Sequence, residues 1–244
     1  MNKTEKLNWP NCDIHSSSAE YAKRFSGSAG EFFLERQSEI IEKIIGDAKN
    51  FSVLDVGGGH GQILKQLSQY TKDITILGSE LTSSTLITNE IEKGVCNFKV
   101  GNFYDLPFNS NSFDYVISLR QVAHVEDSKQ FLKELCRVSK NFVIIDYAPL
   151  ISFNLLSPIL FQLKKKIEKN TRTFLVHKNS EIKKILRDSD FQVVATYPQF
   201  FWPMGVHRFL KSKEKSTQLE SFASYVGLVR IFGSPTILVA KKIN

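Results

Sequence analysis

Between residues 51 and 146 the chain repeats one pattern, a short apolar run followed by an amphipathic stretch. The apolar runs at 51–55, 74–81, 112–118 and 142–146 read as strands. The stretches at 62–70, 83–93 and 127–138 read as helices, and the alternation predicts a mostly parallel sheet with helices on both faces. Upstream, 16–26 is a short amphipathic element. In 30–45, Phe33, Ile40, Ile41, Ile44 and Ile45 recur with a helical period that Gly46 and Asp47 end. After Asp146 the pattern changes. Pro149 and Pro158 bracket an apolar FNLL, 159–169 is helix-like, and a helix at 179–188 leads to a strand at 191–197. That strand and the apolar run at 236–242 are expected to pair antiparallel at the end of the sheet. The residues between them, 198–235, are too many for a hairpin loop and predict an insertion rich in aromatic side chains.

The stretch FSVLDVGGGHGQILKQL places Asp55 at the end of the first run, followed by glycines at 57, 58, 59 and 61. A strand that breaks into a turn without side chains lets a ligand lie against backbone, and amides at a helix start suit polar or anionic groups. Spacing narrows the ligand. Gln62 stands where a dinucleotide fingerprint could place a glycine, and no Gly-Lys-Ser/Thr ending supplies a phosphate-binding lysine. An acidic residue two positions before G-x-G-x-G resembles the first motif of the class I S-adenosylmethionine-dependent methyltransferases, of the type 11-like kind. Three later segments, ITILGSEL, VGNFYDLPF with SFDYVIS, and LRQVAHVED, arrive in the order of that family. The resemblance covers roughly residues 50–148.

It implies a Rossmann-like α/β fold, with a seven-stranded mostly parallel sheet, helices on both faces and an antiparallel final strand, and S-adenosyl-L-methionine as cofactor. It further implies roles for particular residues. Asp55, Gly57, Gly58 and Gly59 form the cofactor turn, with Asp55 receiving the amino group. Glu80, followed by Leu81, would accept from both ribose hydroxyls. Asn102 and the amide of Phe103 would hold the adenine edge, although Asn102 stands where an aspartate is usual. Leu119 and Arg120, with Gln121, would pass beneath the methionine part. Tyr21 and Arg24, in SSSAEYAKRFSGSAG, resemble a lid whose arginine pairs the methionine carboxylate. The implied organisation is a single domain, with a lid at 1–30, a cofactor core at 31–148, substrate caps at 149–180 and 198–235, and the final strand at 236–244.

Composition agrees with a globular enzyme, at 244 residues, 42% hydrophobic and 23% charged. The start lacks the apolar core of a signal peptide, and no run reaches the ~20 apolar residues of a membrane span, so a cytoplasmic location is expected. Cys12, Cys96 and Cys136 have neither disulfide nor metal-ligand spacing, and the histidines are scattered, so no metal is expected. The net charge of +7 is concentrated after residue 146, where 16 Lys and Arg face 6 Asp and Glu. An anionic partner or a plain solvated face accounts for that excess.

A methyl sulfonium is already electrophilic, so the protein must chiefly align a nucleophile and exclude water. His124 follows the fourth strand and is the candidate general base, with a loop hydrogen bond as the alternative role; His177, His207 and Asp146 are further candidates. Phe200, Phe201, Trp202 and Met204 are expected to line a pocket, with Phe201, Trp202 and His207 meeting substrate. The acceptor expected is a small molecule. Other readings are a lipid or quinone methyltransferase at a membrane surface, an RNA methyltransferase, and a cofactor-binding regulatory protein. The chain has Ser118, Leu119, Arg120 and Gln121 where a nucleic-acid enzyme would carry an Asn/Asp-Pro-Pro-Tyr type of tetrapeptide, which argues against the RNA reading.

Overall fold

The computed structural model describes residues 27–79, 85–152 and 175–243, apart from the side chains of Thr85 and Leu86. Seven strands form one sheet in the order β3-β2-β1-β4-β5-β7-β6. They are β1 (Ser52–Val56), β2 (Asp73–Gly78), β3 (Asn97–Val100), β4 (Phe113–Ser118), β5 (Ser139–Tyr147), β6 (Phe191–Pro198) and β7 (Thr236–Lys242). Neighbours are parallel except that β7 runs antiparallel to both β5 and β6. The strand order reverses between β1 and β4, so their carboxyl ends open a crevice.

Two apolar layers sandwich this sheet. On one face Val53, Ile76, Ile117, Ile144 and Val239 meet Ile40, Ile41 and Ile45 of α1 (Gly27–Ile45), Leu64 and Leu67 of α2 (Leu64–Leu67) and Ile87 of α3 (Thr85–Glu92). On the other, Leu54, Val116, Val143 and Leu238 meet Phe131 and Leu135 of α4 (Ser128–Val138) and Ile182 and Leu186 of α5 (Asn179–Arg187). The two sets alternate along each strand, as a sheet buried on both faces requires. Asp127 caps α4 by accepting from the Gln130 amide at 2.9 Å.

The helix expected at 62–70 is shorter. Around Leu64–Leu67 the amides of Leu64, Gln69 and Tyr70 bond three residues back, to Gly61, Gln66 and Leu67, so tight turns replace α-helix at both ends. The insertion at 198–235 is itself helical, with α6 (Met204–Leu210) and α7 (Lys213–Tyr225) packed beside α1 and α8 (Leu228–Phe232) packed on α7 and β6. Lys213 at the start of α7 reaches Glu35 of α1 at 2.7 Å. Among the described residues no helix is long and apolar enough to cross a membrane, and no group of acidic, His and Cys side chains is arranged to hold a metal. Cys96 and Cys136 are buried and free.

Candidate functional site

At the crevice, β1 ends and the chain turns sharply. The Gly57 amide donates to the Leu77 carbonyl at 2.8 Å and the Gly61 amide to the Gly58 carbonyl at 2.8 Å, closing the turn on itself. Side chains tie this turn to β4. Ser118 Oγ donates to the Val56 carbonyl at 2.9 Å, and Gln121 Nε2 lies 3.3 Å from the Gly57 carbonyl. The turn has no room for Cβ atoms. One on Gly57, whose φ is +85°, would overlap the Gln121 amide, and one on Gly58 would overlap the Asp55 carboxylate.

Asp55 and Asp146 project toward the α1 side of the sheet, since each lies two positions after a residue of that face, Val53 and Ile144. Between their strands, just past the end of β4, comes Arg120. Its backbone is left-handed, with φ +64°, and its amide donates to Asp146 Oδ1. A non-glycine residue held there is strained, and the Asp146 bond offsets the cost. Asp146 Oδ2 is buried with no hydrogen-bond partner among the described residues. Burial pushes the Asp55 carboxyl up to about 7 and that of Asp146 up to about 6, and the nearby Arg120 charge only partly counters this. The crevice therefore holds two carboxyls that keep their protons to a higher pH than ordinary aspartates, with one cation beside them.

Gly101 to Asn109 form the second wall. Gly101 donates to the Gly78 carbonyl at 2.9 Å, and Asn102 Oδ1 accepts from the Tyr104 amide at 2.9 Å. The Asn102 side chain thus shapes its own turn. Phe103 buries its ring 6.0 Å from that of Phe131, which leaves its backbone as the part able to face a ligand. This wall is anchored from behind by a pair that the sequence reading passed over. Glu134 accepts from the Leu106 amide at 2.8 Å, while Arg137 binds Glu134 and donates to the carbonyls of Leu106 and Phe108. Its signal was an i,i+3 acid–base pair on the predicted helix.

Leu119 is buried in the core below the crevice. His124 occupies the turn after β4, half-buried, its amide 2.8 Å from the Gln121 carbonyl. His177 is buried, with Nε2 3.3 Å from the Val122 carbonyl and a pKa lowered by burial. Glu80, Leu81, Tyr21 and Arg24 lie outside the described residues.

The aromatic insertion departs from expectation. A cavity of about 610 Å³ opens between α1 and α7, and Phe200 lines it with Phe32, Arg36, Gln199, Glu220 and Val229. Phe201, Trp202 and Met204 do not line it, and His207 is enclosed, with none of its side-chain surface exposed. The cause is Glu220, whose carboxylate accepts from the amides of Phe201 and Trp202, each at 2.9 Å, and lies 3.0 Å from His207 Nε2. The His207 ring is packed 5.3 Å from both Phe32 and Phe33. His207 thus joins α6, α7 and α1. Glu220 went unnoticed in the sequence because nothing about a helical glutamate announces burial.

A side-chain-free turn beside a buried carboxyl, facing a second wall whose backbone is available, fits a nucleoside-bearing cofactor with an amino acid tail. Residues 54–144 match the family model described as a methyltransferase domain. These residues form a methyltransferase domain of the class I S-adenosylmethionine-dependent kind. Curated methyltransferases align with up to half of the chain. Cycloartenol-C-24-methyltransferase of Arabidopsis thaliana is 27% identical over 50% of this chain and 38% of its own length. Norajmaline N-methyltransferase of Rauvolfia serpentina is 31% identical over 40% of this chain and 36% of its own. The chain thus spans little more than a third of these methyltransferases. The fold extends further than the sequence match. Magnesium protoporphyrin IX methyltransferase from Synechocystis PCC 6803, with bound SAH, superposes with a TM-score of 0.63 at 16% identity, over 94% of this chain and 97% of that one.

Proposed function

We propose that this methyltransferase transfers the methyl group of S-adenosyl-L-methionine to a small-molecule acceptor by in-line displacement. The observation that carries the reading is the conjunction of buried Asp55, the Gly57–Gly58 turn that excludes side chains, and the Gln121 and Ser118 bonds that lock this turn to β4. The cofactor supplies an electrophilic methyl on sulfur. The chain supplies placement. In this reading Asp55 and the backbone of residues 57–59 take the amino acid tail, Glu80 with Leu81 the ribose, and Asn102 with the Phe103 amide the base. Leu119 and Arg120 form the floor, Tyr21 and Arg24 close over the carboxylate, and His124 takes a proton from an acceptor that must lose one. Phe201, Trp202 and His207 act on substrate through the shape of the cap they hold together.

Relatives named for cycloartenol and norajmaline support a small-molecule acceptor. The test is isothermal titration with S-adenosylmethionine and S-adenosylhomocysteine, on the native chain and on Glu80→Ala. Binding of both ligands that Glu80→Ala weakens by at least about tenfold, the loss of a charge-assisted hydrogen-bonded pair, is the expected result. No binding to the native chain would overturn the reading.

A further inference from the structure

We infer that the outer side of the α6–α8 cap is a docking surface for an anionic lipid bilayer. The cap concentrates exposed apolar side chains. Phe209 is 85% exposed, Tyr225 90%, Phe222 64%, Ile231 63% and Val226 49%, more than half of the large apolar residues exposed among those described. Isolated exposed apolar residues are ordinary, but five within 23 positions on three packed helices are not.

Helix α7 shows how they are segregated. It buries Ser216, Glu220 and Ala223 along one stripe. At 100° per residue the opposite side carries Glu214, Gln218, Ser221 and Tyr225, and Phe222 and Lys215 lie together on one flank of it. Lys215 and Phe222 are seven residues apart, so a cation and an aromatic ring share one line. The same mixture recurs on both flanks, where Arg208 and Lys211 bracket Phe209 and Lys211 is exposed, and Arg230 precedes Ile231. Against these cations the exposed cap residues include one acid, Glu214, because the carboxylate of Glu220 is turned inward.

Charge selects the occupant. Interfaces between proteins are depleted of lysine at their apolar centre, whereas membrane-surface helices place aromatic and aliphatic side chains among Lys and Arg whose heads reach the phosphates. The neighbouring helix fixes the orientation. The outer face of α1 carries exposed Glu31, Glu35, Glu39 and Glu42, which an anionic surface repels, so the flank with Phe209, Phe222 and Ile231 faces the lipid, while the edge where Tyr225 borders the same cavity as Glu35 and Glu39 faces water. The surface stands apart from methyl transfer and would operate in an inactive protein. Its consequence for activity is access to acceptors dissolved in the bilayer.

The test is cosedimentation of the full chain with vesicles of phosphatidylcholine and phosphatidylserine, and with vesicles of phosphatidylcholine alone. The expected result is binding to the mixed vesicles that weakens with salt and falls at least about tenfold in Phe209→Ser/Phe222→Ser/Ile231→Ser and in Lys211→Glu/Lys215→Glu/Arg230→Glu. Both variants should keep the native melting temperature and titrate S-adenosylmethionine as the native chain does. Equal binding to phosphatidylcholine vesicles, no binding to either, or unchanged binding by both variants would overturn the proposal. So would a native dimer in light scattering that the apolar variant converts to monomer, since the surface would then belong to a second copy.

Discussion

A methyl group on Gly58 would overlap the Asp55 carboxylate, so Gly58→Ala must displace either the turn or the acid. We expect a loss of S-adenosylmethionine affinity of about tenfold or more, read by titration calorimetry, with little change in melting temperature because the turn lies at the edge of the core. The buried acids have a second consequence. The pKa of Asp146 rises from 3.8 to about 6, so the folded state holds a proton that the unfolded chain gives up first. Its stabilising contribution is complete below the ordinary carboxylate range and is lost as pH rises through about 6. The ligand-free protein should therefore lose stability from pH 4 toward pH 6 relative to Asp146→Asn, measured by urea unfolding across that interval. An amide keeps the acceptor oxygen for Arg120 and has no proton to release. The positions of Asp55 and Gly57 were legible in the sequence because a strand that ends in an acid and a glycine run has few other meanings. The left-handed conformation of Arg120 was not, since it depends on Asp146, 26 residues later and on another strand.

Whole elements follow the same division. Helices α4 and α5 pack against the sheet, and their apolar periods show in the sequence. Helix α7 has no comparable stripe. Its buried positions are Ser216, Glu220 and Ala223, and hydrophobicity alone gives no reason for a serine and a glutamate to face inward. What holds α7 is polar. Glu220 accepts from two part-buried backbone amides and pairs with buried His207, so Glu220→Ala would remove a carboxylate that three groups share. The expected cost is about 2–4 kcal/mol, seen as a lower urea midpoint with an unchanged slope. Glu220→Gln should recover part of it, because the amide oxygen can still accept. Losing this anchor would also free residues 201 and 202, and with them one wall of the cap.

At the scale of the molecule, β7 is the strand on which the far side of the sheet depends. It is buried from Thr236 to Ala240 and pairs with β5 on one side and β6 on the other, six and seven positions respectively. An aspartate in place of Leu238, between Ile145 and Thr196, would put a charge in the α4–α5 layer with nothing to pair it. We expect Leu238→Asp to unfold the described domain as a unit, with far- and near-ultraviolet dichroism lost together, and not to detach β6 alone. The same placement sets a schedule for synthesis. A ribosome delivers β6 before β7, yet β6 has no place in the sheet until β7 has paired with β5. Until roughly 45 further residues have been made, the emerging chain therefore carries one strand without neighbours and another with an open edge, the state in which nascent chains aggregate or recruit chaperones.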